Sequence, residues 1–309
     1  MQAIQVSEVH KSYGDVQAVR GVSFEVAQGE VFCLLGPNGA GKTTITEIVE
    51  GHRVATSGTV EVLGIDPGSG DRGLRDRIGV VLQSSGIQEE LTVGELLEMH
   101  GRWYSRCLAP DHLIDLVELD AKRDTRAGEL SGGQRRRLDL ALGLVGDPDV
   151  LFLDEPTTGF DPHARRAAWS TIRSLCQTGK TVFLTTHFMD EAQFLADRVA
   201  VMVEGQIVAS GPPEALGGRD ELPTEIRFVL PDDVVLGELP PLPDSAVSAD
   251  GGAILVTTSQ GVAATNALTG WALQNRIALS RFSVSQPTLE DVYLALTETE
   301  TASAEEATR

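Results

Sequence analysis

Two kinds of apolar pattern divide the first two thirds of the chain. Short continuous apolar runs bounded by Gly, Pro or Asp are typical of strands buried on both faces of a parallel sheet. Alternating apolar positions, as in Val22-Ser23-Phe24-Glu25-Val26, favour half-exposed antiparallel strands. Residues 89–146 follow the helical period instead. We predict an α/β core, an antiparallel β layer and a helical insert, with buried strands at Val31–Leu35, Gly79–Leu82, Val150–Leu153 and Thr181–Leu184.

The pattern changes after a hairpin-like pair at Arg198–Val203 and Gln206–Ser210. The glycine pair in Gly217-Gly218-Arg219-Asp220 is typical of a junction between domains. Beyond it the pattern predicts three strands, one helix, and a last helix capped by Thr288 with Asp291 three residues later. We predict a domain at 1–219 with an insert at about 87–146, a small α+β domain at 220–297, and an acidic disordered tail at 298–309.

The charge composition of the chain limits the classes of function that it can have. The 309 residues include 25 Lys and Arg against 45 Asp and Glu, a net charge of −20 that argues against nucleic-acid binding. No apolar stretch approaches the roughly 20 residues of a membrane span, and the N-terminus has no signal-peptide pattern. The three cysteines have no metal-ligand or disulfide spacing, which indicates packing or surface roles. We therefore expect a cytoplasmic protein that does not itself cross a bilayer.

A glycine-rich loop follows the first buried run. It fits G-x-x-x-x-G-K-[ST] between a strand and a helix, so backbone N–H groups can point at phosphates. We expect Lys42 to reach the β- and γ-phosphates and the Thr43 hydroxyl to bind Mg²⁺. The expected nucleotide-binding residues of the loop are Gly36, Pro37, Asn38, Gly39, Ala40, Gly41, Lys42, Thr43 and Thr44.

A second apolar strand ends in two acids, Asp154 and Glu155. Such a strand brings an acid to the metal beside a phosphate loop and leaves its neighbour free to orient water. We predict that Asp154 binds Mg²⁺ and that Glu155 is the general base, because the acid at the metal cannot also take the proton. Loop and strand together predict a nucleoside triphosphatase.

The segment Leu130-Ser131-Gly132-Gly133-Gln134 resembles the signature of the ATP-binding cassette (ABC) family. It opens a predicted helix, whose N-terminus suits an anion. Four further positions match this family in order, and the resemblance covers roughly residues 2–215. It implies that Tyr13 stacks on adenine, that Gln83 touches Mg²⁺ and water, that Asp161 faces a partner subunit, and that His187 contacts the γ-phosphate.

This resemblance implies an α/β P-loop NTPase of the ABC cassette type, with a RecA-like core, that hydrolyses ATP with Mg²⁺. The family's composite site takes a phosphate loop from one subunit and a signature from another, and this chain has one of each. We therefore expect a head-to-tail homodimer that sandwiches two ATP, in which the partner supplies Ser131, Gly133 and Gln134. It is expected to drive a separate transmembrane permease from the cytoplasmic face of the cell membrane, through a groove beside Gln83 and residues 87–106.

The start of the signature helix and the segment Pro287–Thr297 also resemble the ABC-2 type, drug-exporter branch, in particular ATPase subunits like that of the daunorubicin exporter. That resemblance implies export of a hydrophobic compound or drug. Phe160 departs from the family, which usually has Leu there, and this leaves the packing of the dimer face open.

Three alternatives remain at this point. The run Arg135-Arg136-Arg137 could be a nucleic-acid patch. The chain could be a soluble ABC ATPase that acts on DNA or ribosomes. The C-terminal domain could be a regulatory or dimer-clamping module.

Overall fold

A computed structural model describes residues 1–81, 86–177, 179–231, 234–250, 252–286 and 288–293. The chain forms two compact units, Met1–Pro213 and Glu214–Arg309. This division precedes the boundary expected at 219, because the glycine pair lies within a short 3₁₀ segment, Leu216–Glu221, of the second unit. The tail expected at 298–309 lies outside the described residues.

The first unit alternates strands and helices. Its elements are β1 (Gln2–Tyr13), β2 (Val16–Ala27), β3 (Val31–Leu35), α1 (Lys42–Val49), β4 (Ser57–Val62), α2 (Arg72–Arg75), β5 (Ile78–Val81), α3 (Val93–Gly101), α4 (Pro110–Leu116), α5 (Gly132–Leu144), β6 (Val150–Asp154), α6 (Pro162–Gln177), β7 (Thr181–Thr186), α7 (Met189–Leu195), β8 (Arg198–Val203) and β9 (Gln206–Gly211).

The larger sheet of this unit has the order β5-β6-β7-β3-β8-β9. All its pairs are parallel except the β8–β9 hairpin. The side chains of β3 and β7 are buried at every position, as the continuous apolar runs predict. The carboxyl ends of β6, β7 and β3 are therefore neighbours, and ligands of open α/β sheets bind at such edges.

The smaller sheet is antiparallel, with the order β2-β1-β4. Its alternating apolar residues share one core with the larger sheet and with α1. The rings of Phe24 and Phe32 stack at 5.0 Å across the two sheets, and Phe183 lies 5.6 Å from Phe32. The predicted antiparallel layer is thus confirmed, and it extends to β1, which the pattern alone did not identify.

The helical insert contains α3, α4 and α5 with two 3₁₀ turns. Thr92 begins α3 with a capping box, in which Thr92 and Glu95 satisfy each other's backbone N–H groups. Among the described residues from 89 to 146 the structure has no strand longer than an isolated bridge between Thr92 and Arg126. The helical prediction for this segment is confirmed there.

The second unit is α+β, as predicted. An antiparallel sheet of order β11-β12-β10-β13 packs one face against a helix, and Ile226, Phe228 and Val256 are buried between them. Thr288 caps the last helical turn through Asp291, as expected. The elements are β10 (Thr224–Val229), β11 (Ser245–Asp250), β12 (Ala253–Thr258), α8 (Gly261–Asn275) and β13 (Ser280–Ser285). Within the described part of the chain, no helix is long and apolar enough to span a bilayer.

Candidate functional site

The phosphate loop begins where β3 leaves the sheet, at Gly36. A Cβ on Gly36 would lie 2.3 Å from the carbonyl oxygen of Met202, and a Cβ on Gly41 would lie 2.4 Å from that of Ala18. Gly41 also has a φ of 101°, in the left-handed region that favours glycine. The loop therefore requires glycine at both ends, and α1 begins at the next residue, Lys42.

The side chain of Lys42 is buried inside this loop. Its Nζ donates to the carbonyl oxygen of Gly36 at 2.7 Å and to that of Pro37 at 3.0 Å. Burial lowers the pKa of the Lys42 ammonium, while the carboxylates of Glu155 and Asp154 act in the opposite direction. The loop thus holds a cation within electrostatic reach of the two acids at the end of β6.

Thr185 of β7 holds both acids. Its Oγ1 donates to Oδ1 of Asp154 at 2.5 Å and accepts from the N–H of Glu155 at 3.2 Å. Its carbonyl oxygen accepts from the same N–H at 3.1 Å. Glu155 has a φ of 46°, and a left-handed backbone costs a non-glycine residue about 1–3 kcal/mol. The bonds from Thr185 therefore help to fix the direction in which the Glu155 side chain leaves the sheet.

His187, which follows β7, reaches Glu155. Nδ1 of His187 lies 3.1 Å from Oε1 of Glu155, and the Thr158 hydroxyl donates to Oε2 at 3.1 Å. The Glu155 side chain is 13% exposed. Each carboxylate oxygen retains a further lone pair, so a carboxylate held in this way can still accept a proton from water.

Oxygen donors at this edge suit Mg²⁺. Thr43 is exposed in the first turn of α1, and Asp154 is half-buried with one oxygen bonded to Thr185. Among the described residues, no group of three or more His, Cys, Asp or Glu could hold a metal. The donors fit Mg²⁺, which keeps waters and binds through one or two protein ligands together with phosphates. Gln83, the third predicted ligand, lies outside the described residues.

Tyr13 ends β1 with 40% of its surface exposed. The Nζ of Lys11 lies 5.3 Å from the centre of the Tyr13 ring, and the guanidinium carbon of Arg53 lies 5.2 Å from it. These distances are within the range of cation–π contacts. The ring is accessible and has two positive charges beside it. It therefore suits the nucleobase of a nucleotide, whose phosphates are negative.

The signature turn caps its own helix. Ser131 Oγ accepts from the N–H of Gln134 at 3.3 Å, and Gln134 Oε1 accepts from the N–H of Ser131 at 3.0 Å. A Cβ added to Gly132 or Gly133 would meet no heavy atom within 4 Å. The described contacts of Ser131 and Gln134 are thus within the turn, while the glycines face open space.

Asp161 caps α6. Its Oδ1 accepts from the N–H of Ala164 at 3.0 Å and from that of His163 at 2.9 Å. These hydrogen bonds hold the pKa of the Asp161 carboxyl below its usual range, and the bond from Ala164 has the largest effect. The preceding Phe160 lines an apolar cavity with Leu140 of α5 and Ile172 of α6, so the larger side chain packs within its own chain.

The arginine run after the signature is engaged within the chain. Arg135 donates to Glu89 at 2.8 Å, and Arg137 donates to Glu118 at 2.9 Å. Arg136 is 9% exposed and points inward. The run therefore does not form an open positive patch, which removes the basis for the nucleic-acid interpretation.

Besides Thr185, sequence reasoning missed two residues that bond to the end of β6 or to the segment after it. Arg136 donates to the backbone carbonyl oxygens that follow β6. Glu191 is fully buried, and its Oε1 accepts from the Thr157 hydroxyl at 2.7 Å and from Trp169 Nε1 at 2.9 Å. Burial raises the pKa of Glu191. The position of Glu191 four residues after His187 could have indicated that it lies near the site. Acids in helices are more often exposed than buried, so the sequence alone does not predict this role.

Comparisons with known proteins bear on this geometry. The profile of a family described as ABC transporter matches residues 19–158, and one described as ABC transporter domain-containing protein-like, C-terminal domain, matches residues 224–288. Nod factor export ATP-binding protein I of Paraburkholderia xenovorans (strain LB400) is 42% identical over 303 residues, which are 96% of this chain and 97% of that protein. The protein of the same name from Rhizobium sp. (strain N33) is 47% identical over 219 residues, 69% of this chain and 72% of that protein.

Solved structures match the first unit. The dimeric structure of a post-hydrolysis state of the ATP-binding cassette MJ0796, bound to ADP and Pi, aligns with a TM-score of 0.62 at 25% identity, over 68% of this chain and 98% of that chain. cbiO1 from Clostridium perfringens, part of the ABC transporter complex cbiONQ, aligns with a TM-score of 0.63 at 29% identity, over 69% and 89%. The predicted cassette fold is confirmed.

Proposed function

Since the chain belongs to the family of ATP-binding subunits of ABC transporters, whose cassettes are ATPases, we propose that two copies sandwich two ATP head to tail and drive a separate permease. The observation that carries the proposal is the convergence of Lys42, Asp154, Glu155 and His187 at one edge of the parallel sheet.

In this proposal the phosphate loop binds ATP. Backbone N–H groups within residues 38–44 surround the phosphates, and Lys42 exchanges its bonds to the loop carbonyls for bonds to phosphate oxygens. Tyr13 stacks on adenine with Lys11 and Arg53 beside it. Thr43 and Asp154 would hold Mg²⁺, with Gln83 as a further ligand, and the bound ion would supply positive charge beside the phosphates.

Hydrolysis needs a base for the attacking water. Glu155 takes the proton of this water, whose oxygen then bonds to the γ-phosphorus as the bond to the leaving ADP breaks. His187 and Thr158 hold the two carboxylate oxygens in a single orientation. In the proposed site the imidazole of His187 also contacts the γ-phosphate.

The second half of each site comes from the partner. Ser131, Gly133 and Gln134 of one copy close over the ATP held by the other, because their turn faces open space in its own chain. Asp161 also faces the partner in this proposal, and it orders the start of α6. The dimeric cassette structure similar to this chain supports this arrangement.

We further propose that the dimer acts peripherally at the cytoplasmic face of the cell membrane and exports a hydrophobic compound, with a drug as one candidate. Export is supported by the relatives named for Nod factor export. The groove beside Gln83 and residues 87–106 receives the permease. The C-terminal unit, with its own matching family, is an accessory module of this motor. Action on DNA or ribosomes is not favoured, because the arginine run is paired internally.

The Glu155→Gln variant tests the proposal. Removal of the base should lower ATP turnover by about 100-fold or more, while ATP affinity is retained and an ATP-bound dimer accumulates. ATPase assays, equilibrium ATP binding and size-exclusion chromatography with light scattering measure these three effects. Glu61→Gln, on the exposed side of β4, is the charge-matched control and should behave as wild type. Near-normal hydrolysis by Glu155→Gln would contradict the base assignment.

A further inference from the structure

Arg136 lies on the signature helix but points toward the catalytic strand. It is five residues after Ser131, and its guanidinium is buried. Nε donates to the carbonyl oxygen of Pro156 at 2.9 Å. Nη2 donates to the carbonyl oxygens of Asp154 at 3.0 Å and Glu155 at 3.2 Å. One side chain therefore bonds three consecutive backbone carbonyls, those of the two acids and of the proline that follows them.

This arrangement suits an arginine. The guanidinium is planar and presents five donors in a fixed fork, so it can hold several acceptors without a change of rotamer. Its hydrogen bonds are charge-assisted and stronger than those between neutral groups. Asp139 of the same helix lies 3.8 Å from Nη1 and compensates the buried charge.

The segment that Arg136 holds is strained at Glu155, whose φ is 46°. Such a conformation persists only where the surroundings determine it. Thr185 bonds the N–H of Glu155 from one side, and Arg136 bonds its carbonyl oxygen from the other. Both peptide groups that flank the Cα of Glu155 are thus fixed, and with them the direction of its side chain.

We propose that Arg136 is a positioning residue that fastens the backbone around Glu155 to the signature helix of the same subunit. Within the proposed head-to-tail dimer, on which this inference rests, Ser131 at the start of α5 faces the ATP of the opposite site. The helix α5 then joins the general base Glu155 of one ATP site to the Ser131 contact of the opposite site. Closure of the opposite site therefore orders the Glu155 side chain of the first.

Steady-state kinetics separate positioning from binding. Arg136→Met removes all donors, and the turnover number should fall by about tenfold or more while the KM for ATP changes less than about threefold. Arg136→Lys retains the charge but lacks the fork, and it should fall between Arg136→Met and wild type. Arg137→Gln removes a charge from the same helix where the partner is the exposed Glu118, and its turnover should stay within about twofold of wild type. Wild-type turnover in both Arg136 variants would overturn the proposal. If Arg136→Met does not fold, the turnover of Arg136→Lys alone decides.

Mixed dimers assign the effect to a site. Two differently tagged copies are purified as a heterodimer in which one copy carries Glu155→Gln, so that only the other copy's base works, and this dimer is the reference. Arg136→Met in the copy with the working base should lower activity about tenfold. Arg136→Met in the copy that already carries Glu155→Gln should leave activity within about twofold of the reference. Equal effects, or the reverse order, would overturn the proposal.

These outcomes are distinguishable from a failure of the proposed function. If Glu155→Gln alone neither accumulates an ATP-bound dimer nor loses turnover, the dimeric ATPase assignment fails before Arg136 is tested. If it does both and the Arg136 variants are unchanged, only the positioning role fails.

Discussion

The phosphate loop and the signature turn are both glycine-rich starts of helices, yet they are built in different ways. The start of α1 has Gly41 as its cap and no side-chain cap bond, and Gly41 and Gly36 lie against the backbone carbonyls of Ala18 and Met202, respectively. The start of α5 has a complete capping box, and nothing lies within contact distance of a Cβ added to its glycines.

The difference shows what each set of glycines does. In the phosphate loop, glycine is required because the chain itself fills the space, and the uncapped N–H groups remain available to a ligand. In the signature turn, the N–H groups of Ser131 and Gln134 are already satisfied, and the empty space admits something from outside the chain. The first is a preformed loop with free N–H groups, and the second is the surface that a partner contacts in the proposed dimer.

Gly41→Ala should have the largest effect on stability. The alanine would have a φ of about 101° and its Cβ would lie 2.4 Å from a backbone oxygen. Strain and overpacking together should cost the first unit about 4 kcal/mol. For a unit of this size, that lowers the thermal unfolding midpoint by about 10 °C in differential scanning fluorimetry.

Gly133→Ala is the matched control for that variant. Its Cβ points into open space, so the unfolding midpoint should stay within about 1 °C of wild type or rise slightly. An equal loss of stability in both variants would remove the distinction between the two glycine-rich turns.

The opposite end of α1 holds a buried acid whose effect depends on pH. Glu50 follows the helix with its Oε1 unpartnered among the described residues, and burial raises its pKa from 4.5 to about 8. His52 Nδ1 lies 3.1 Å from Oε2. The unfolded chain releases this proton near pH 4.5 and the folded chain retains it to about pH 8, so Glu50 makes stability fall as pH rises through that interval.

Glu50→Gln should remove this decline. Its stability should equal or fall below wild type at pH 4 and exceed it by roughly 4 kcal/mol at pH 8, as measured by urea unfolding across this range. Glu47→Gln, which removes a partly exposed acid one turn earlier in α1, should show no such crossover. Parallel pH profiles for wild type and Glu50→Gln would contradict the prediction and show that the burial of Glu50 does not control its proton.

Ser131→Ala tests the capped turn with a smaller effect. Loss of the capping box should lower the free energy of unfolding by about 1 kcal/mol. Ser170→Ala, at an exposed position of α6, removes a hydroxyl that donates to the carbonyl of Arg166 and should change stability less. A larger loss in Ser170→Ala would show that the cap does not stabilise α5.

Much of this architecture could be predicted from the sequence, because local signals and global packing agree. The continuous apolar runs identify β3, β5, β6 and β7, and the chain order of parallel strands brings their ends together. β1 and β11 were missed. β11 reads Ser-Ala-Val-Ser-Ala-Asp and has one large apolar residue, so its place at an edge of the sheet comes from pairing with β12.

The meeting of Lys42, Asp154 and Glu155 at one edge of the sheet could be predicted from residue type and spacing, and their roles stay predictions. The site was not predictable where a side chain bonds to backbone, because a carbonyl has no signature in the sequence. Thr185 and Arg136 are of this kind, since each holds the main chain of Glu155 from a different element. Glu191 joins three segments that only the folded sheet brings together.

The complete burial of β7 limits which changes of length its gene can tolerate. All six side chains are enclosed, and successive residues face opposite sides of the sheet. An in-frame deletion of one codon within the strand would exchange the two faces and turn Thr185 away from Asp154. Codon deletions within β7 should therefore destroy the site.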